Sequence, residues 1–166
     1  MRLSPTSATQ LEGSSQWIEL TGKILAELHT DGRLSLTELA DRVGLSLSPC
    51  HRRVRALEEA GVILGYRAVL APSELGLNFS AMVFVTLREV TRQAVADFEA
   101  ALPDIPQIVE AQRLFGDPDY LLHVIAKDLP AYQQLYDEHL SALPNVQRLV
   151  STLVMKRVIH DRVLPL

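Results

Sequence analysis

The spacing of the apolar residues changes at Gly61, and that change constrains the fold more than any other feature of the chain. Before it the spacing is helical. Leu20, Ile24, Leu25 and Leu28 recur on one face between Trp17 and His29, and "TDGR" at 30–33 stops the helix, with Gly32 as its expected C-terminal residue. Ser35 stands three residues before Glu38, a capping-box spacing, and Leu36, Leu39, Ala40 and Val43 give a short second helix a buried face that ends at Gly44. Cys50, Val54 and Leu57 form the stripe of a third helix that runs to about Ala60. Its start has two candidate caps, Ser46 and Ser48, and Pro49 as a first helical residue favours Ser48.

After Gly61 the pattern alternates. "VILGYRAVLA" predicts a strand, "PSELGLN" a turn at the domain boundary, and "FSAMVFVTL" a strand with Phe79, Ala81, Val83, Val85 and Leu87 on one face. Val95, Phe98 and Leu102 mark a helix over 91–102, stopped by Pro103. "IVEAQRLF" and "YLLHVIA" predict strands around the turn "GDPD". Pro130 opens a helix carrying Tyr132, Leu135, Tyr136 and Leu143, and "NVQRLVSTLVMKRVI" closes as a strand. The second half is therefore β-α-β-β-α-β, a ferredoxin-like split unit, and the fold class is α+β. The expected division is a mobile arm over 1–16, a helix-turn-helix domain over 17–63, a linker strand and turn over 64–77, and the split-unit domain over 78–166.

Size and charge narrow the classes. Two domains from 166 residues are each marginal alone, which favours an oligomer. Phe79–Leu87 and the last strand add long apolar faces that something must cover, so at least a dimer is expected. No run of 18 apolar residues exists, so no membrane partner is expected. "MRLSPTSATQLEGSSQ" lacks the apolar centre of a secretory signal. The single cysteine, Cys50, permits no internal disulfide, which fits a cytoplasmic location, and its place on the buried stripe makes it a core thiol. Residues 1–70 hold eight Lys/Arg and eight Asp/Glu, and residues 71–166 hold eight and twelve. Any contact with nucleic acid must therefore be local and must lie in the first half.

The third helix supplies such a local site. With its stripe of Cys50, Val54 and Leu57 turned inward, the opposite direction falls on Ser48 and Arg52, with Arg55 close by. Ser46, Pro49, His51 and Arg53 border that face. An arginine there can bond a guanine edge through two donors while its neighbours neutralise phosphates. Helix, capped helix, glycine turn and cationic helix in that order describe a helix-turn-helix meeting double-stranded DNA.

The turn from Gly116 to Tyr120, with Phe115 beside it, is the second candidate. Gly116 permits a close backbone approach, and Asp117 or Asp119 can receive an ammonium group, so the turn suits a zwitterion. A plain β-turn with Tyr120 in the core is the alternative. The five histidines have no partner at metal-ligand spacing, and no nucleophile set, phosphate loop or dinucleotide fingerprint occurs, so neither catalysis, a metal nor a cofactor is expected.

"LTELADRVGLSLSPCHRRVRALEEAGVILGYRAVL" resembles the helix-turn-helix of the Lrp/AsnC regulators, and "GDPDYLLHV" resembles the signature of that family's C-terminal domain for regulation of amino-acid metabolism. The resemblance implies a DNA-binding transcriptional regulator, dimers that associate into tetramers or octamers, and a small effector such as an amino acid. Where many members carry Thr-x-Thr in the last strand, this chain has Leu149, Val150, Ser151 and Thr152, and the resemblance implies that Ser151 and Thr152 help hold the effector. A rival reading is a ligand-sensing module that binds no DNA and docks a partner protein or metabolic enzyme.

Overall fold

A computed structural model describes the backbone of residues 5–159 and Leu164, and the side chains of 18–159 and Leu164. The chain divides into two compact units, one reaching to Val69 and taking in Ile159 and Leu164, the other Leu70–Val158.

The first unit holds three helices. α1 spans Pro5–Thr30, so it begins before the expected Trp17; the polar residues ahead of Trp17 carry no apolar stripe that could have announced it. Of the arm expected over 1–16, residues 1–4 lie outside the described residues, as do the side chains of 5–16. α2 spans Leu36–Val43 and starts as its spacing predicts. The Ser35 hydroxyl accepts from the Glu38 amide at 3.2 Å, and the Glu38 carboxylate accepts from the Ser35 amide at 2.9 Å and the Ser35 hydroxyl at 2.7 Å. Those bonds hold the Glu38 carboxyl below the usual carboxylate range. Gly44 ends α2 at φ +70°, where a side chain would be strained.

α3 spans Leu47–Glu59 with Ser46, not Ser48, at its N-cap. Pro49 is its third residue rather than its first. The first four amides of a helix have no partner within it, so a proline lacking its N–H fits there equally well. α3 ends before Gly61, whose φ is +68°. Ile24, Leu39, Ala40, Val43, Cys50, Val54 and Leu57 are the buried core of the unit. Burial pushes the Cys50 thiol up, which keeps it protonated.

The strand predicted over 62–71 does not form. Apart from half-buried Ile63, which packs on the first unit's core, the segment is exposed and forms no strand pairing, and Leu64 is 95% accessible. Alternation makes a chain suitable for a sheet, but a strand needs a neighbour, and this segment has none among the described residues.

The second unit is a four-stranded antiparallel sheet in the order β2-β3-β1-β4. β1 is Phe79–Leu87, α4 Arg92–Ala101, β2 Ile108–Arg113, β3 Tyr120–Ala126, α5 Leu129–Leu135 and β4 Val146–Leu153. The order of elements is the split β-α-β-β-α-β unit read from the sequence. α5 runs on into a π-helical turn over Tyr136–Leu140. β4 stops at Leu153 instead of continuing to Ile159: its last pair is with Ala81, only two residues from the start of β1, so in this register there is almost no strand left to pair with.

Both helices cover one face of the sheet. Ala81, Val83, Val85, Leu122 and Val124 meet Phe98, Leu102, Leu135 and Leu140 in a single core. The other face carries Met82, Phe84, Leu121, Ile125 and Val150, and no described helix covers it. Buried His123 lies on that face opposite Met82, with Ser80 Oγ at 2.9 Å from its Nε2. Burial and then the nearby Arg157 charge push its pKa down, with Glu110 opposing.

Candidate DNA-binding helix and effector turn

α3 presents what a recognition helix needs. Cys50, Val54 and Leu57 are buried, and Ser48, His51, Arg52 and Arg55 are exposed. Arg52 and Ser48 point away from the core, as the helical spacing requires, and Ser46 is exposed at the cap. Pro49 and Arg53 are half-buried. Arg53 is three residues from Cys50 and one from Val54, so its stem leaves the helix beside the buried stripe. The face is therefore led by Arg52, with Arg53 at its margin.

Arg55 makes a local ion pair. Its Nε lies 2.9 Å from Glu59 Oε1, with the two side chains 69% and 66% exposed. Exposed i,i+4 pairs contribute only about 0.3–0.5 kcal/mol, so a phosphate can draw Arg55 away from Glu59 at small cost. Glu58, the other acidic residue nearby, accepts instead from the Tyr66 hydroxyl at 3.0 Å.

The turn between β2 and β3 is built by its acceptors. Gly116 has φ +140°, a conformation that side chains rarely adopt, and no atom lies within 4 Å of where its Cβ would stand. Phe115 is fully exposed. The Asp119 amide donates to the Val85 carbonyl at 2.9 Å, and its own carbonyl accepts from the Leu114 amide at 2.7 Å. Its carboxylate accepts from the Leu87 amide at 2.8 Å. Asp119 thus fastens the turn to the end of β1. Asp117 is the carboxylate that faces outward: its Oδ1 accepts from the Thr86 hydroxyl at 3.4 Å and lies 3.8 Å from Arg148 Nη2.

Tyr120 is a core residue, 2% exposed. Its ring packs against Phe98 at 4.7 Å between centroids, and its hydroxyl donates to Glu99 at 2.7 Å. Burial, and then the Glu99 carboxylate, push its pKa up to about 12. Tyr120 is therefore positioned to hold the turn, not to touch a ligand in front of it.

The last strand does not bring both of its hydroxyls to the turn. Ser151 pairs with buried Val83 and faces the helices, where its Oγ lies within hydrogen-bond reach of the Tyr132 hydroxyl. Thr152 pairs with Met82 and faces the other side. Successive side chains of a strand point to opposite faces, so the two cannot share one ligand from the same protomer. Both also lie further along β4, opposite Val83 and Met82, whereas the turn is attached at Val85 and Leu87 near the end of β1. Arg148 and Thr86 are the polar residues that do reach Asp117. Sequence spacing could not single them out, because their meeting depends on the pairing register of β1 with β4.

Two family models match the chain. One is described as the Lrp/AsnC ligand binding domain and covers residues 80–164; the other is a winged helix-turn-helix DNA-binding model over 19–63. The proline dehydrogenase transcriptional activator of Rhodobacter capsulatus is 42% identical over 84% of this chain and 90% of its own. The Bkd operon transcriptional regulator of Pseudomonas aeruginosa is 42% identical over 87% and 94%. A transcriptional regulator of Neisseria meningitidis, solved as its L-Met complex, is 36% identical, superposes with a TM-score of 0.83, and covers 88% of this chain and 94% of its own.

Proposed function

Because this chain belongs to the Lrp/AsnC family, we propose that it is a transcriptional regulator in which an amino-acid effector held by the sheet unit changes how α3 engages DNA. A helix-turn-helix DNA-binding domain and a ligand-binding domain share the chain. The observation that carries the reading is the polarity of α3: its stripe is buried while Arg52 and Ser48 stand clear of the core. Arg52 reads a base edge, and Arg55, His51 and the amides at the start of α3 meet phosphates. Arg53 contributes charge from the margin of that face.

The effector site is centred on Gly116 and Asp117, with Phe115 beside them and Asp119 and Tyr120 as its supports. An amino acid as the effector class is supported by the L-Met carried by the Neisseria meningitidis relative. No enzymatic activity is proposed. Among the described residues no helix is long and apolar enough to cross a membrane, and cytoplasm is the compartment proposed for a regulator that works on DNA.

Binding to DNA should weaken steeply with salt, because each phosphate contact releases counterions. Fluorescence anisotropy with duplex DNA at 50 and 200 mM salt measures this. A fall of roughly 10³-fold or more is expected for six or more phosphate contacts. A protein that binds no duplex at either concentration is the docking module instead.

The open sheet face supports assembly. Met82, Phe84, Leu121, Ile125 and Val150 form an apolar surface on one side of a small unit, and a second copy is the occupant proposed for it. Light scattering at micromolar concentration should report a dimer or a larger even-numbered assembly. A monomer there removes this part of the account.

A further inference from the structure

We propose that His123 makes association through the open face of the sheet sensitive to protons: two copies close on that face while its ring is neutral, and the contact loosens when the ring is charged. This rests on the assembly reading above and adds the regulation of that surface.

The ring sits where a second copy would cover it. His123 lies in the middle of β3, with Leu121 and Ile125 two residues to either side on the same face. Met82 stands opposite it on β1 and Glu110 on β2, and Thr152 continues the row on β4. The next row holds Leu121, Phe84 and Val150. His123 is thus a titratable group set among the apolar residues that a second copy would meet. It is already 6% exposed in the single chain.

The contacts of the ring require its neutral form. Ser80 Oγ lies 2.9 Å from Nε2. Arg157 Nη2, from the segment after β4, is within hydrogen-bond reach of Nε2 and 3.1 Å from Nδ1. A guanidinium has donors only, so a ring nitrogen bonded to it must carry a lone pair. A neutral imidazole has one such nitrogen, and an imidazolium has none. A proton on His123 therefore breaks the bond with Arg157 and sets two positive charges against each other, on a surface that association would dry.

The charged groups that act on the ring are Arg157 and Glu110. From β1 it meets the Ser80 hydroxyl and Met82, which carry no charge. Glu110 favours the charged ring, but it is exposed, and its carboxylate accepts from Gln112 Nε2 at 2.6 Å. Burial first, and then Arg157, outweigh it and hold the ring below the usual histidine range.

The direction follows. A second copy removes the remaining water and lowers the pKa of the ring further. The assembly then binds fewer protons than the free chains, so association is strongest above the ordinary histidine value of about 6.5 and weakens as pH falls below it. A two-fold contact buries one ring from each copy, so two protons are linked to each dimer.

Fluorescence-detected sedimentation of the full-length protein, from nanomolar to micromolar concentration, tests this at about pH 8 and about pH 5, on either side of the histidine range. The dissociation constant of wild type should be at least tenfold larger at the lower pH. Carboxylates also begin to titrate there, so His123→Gln is the control. It keeps a neutral polar side chain, and its dissociation constant should stay within threefold between the two conditions. A melting curve checks that each variant is folded. Carbon-13 NMR of labelled histidine rings follows His123 itself, identified by the signal that His123→Gln lacks. Its titration midpoint should lie below about 6.5 in wild type and rise in Arg157→Gln. A wild-type dissociation constant that changes less than threefold overturns the proposal and leaves assembly standing, as does a folded His123→Gln protein that dissociates in acid as wild type does. A ring midpoint at or above about 6.5 overturns it as well. If wild type is a monomer at the higher pH, the assembly reading falls and the inference falls with it.

Discussion

Phe98→Ala should destabilise the sheet unit by about 3–5 kcal/mol, the range for removing a fully buried phenylalanine. Phe98 has no exposed surface, lies on α4, and packs tilted against Tyr120 at 4.7 Å between ring centroids. Its removal takes away the ring that holds Tyr120, and Tyr120 begins the strand that follows the effector turn. Small domains have only about 5–15 kcal/mol of stability in total, so the loss should be visible in any denaturation curve. Urea unfolding followed by circular dichroism should show a lower midpoint. Ligand binding at the site proposed around Gly116 and Asp117 should weaken in the same variant at temperatures where the sheet unit begins to melt. A shift below about 1 kcal/mol would mean that Phe98 is not the centre of this core.

Arg52→Ala should cost about 1–3 kcal/mol in specific DNA binding, and it should relax the preference at one base position per half-site. Arg52 stands opposite the Cys50–Val54–Leu57 stripe, so truncating it leaves the core of the first unit untouched. Arg55→Ala is the contrasting variant. It removes the phosphate contact proposed for Arg55, so it should weaken all duplexes alike and reduce the salt slope by about one. Binding of both variants to a selected sequence and to a scrambled one separates the two roles. If Arg52→Ala discriminates between them as well as wild type does, the base-reading residue is another one.

Much of this architecture is legible in the chain, and the reasons differ by element. The start of α2 is legible because Ser35 and Glu38 satisfy each other's backbone amides locally, with no help from the rest of the molecule. The buried stripe of α3 is legible because helical spacing alone sets it. The start of α3 is ambiguous because Pro49 suits any of the first helical positions. The segment 62–71 has a strand's pattern and no partner strand, and pairing is not a local property. The length of β4 was likewise hidden, since its end is set by β1.

The proposed effector turn divides along the same line. Gly116 is legible as a turn glycine, and its φ of +140° explains the residue type. The roles of the two aspartates are not legible, because Asp119 is distinguished from Asp117 only by the Leu87 amide it meets. Ser151 and Thr152 are adjacent in sequence, and the pleat separates them onto opposite faces. Arg148 sits in a run with no signal of its own. It becomes part of a constellation only when β4 is laid beside β1 in the observed register.

The central claim is that a ligand in the sheet unit alters the DNA binding of α3. It is tested most directly by titrating wild-type protein onto a duplex selected for tight binding, at one salt concentration, with and without a saturating amino acid. The amino acid is one that calorimetry has shown to bind. The account predicts a shift in apparent affinity of roughly 5–150-fold, the usual range of coupling between two sites, or a changed number of protein chains per duplex. Superimposable curves with the same stoichiometry, obtained while the ligand is bound, would contradict it.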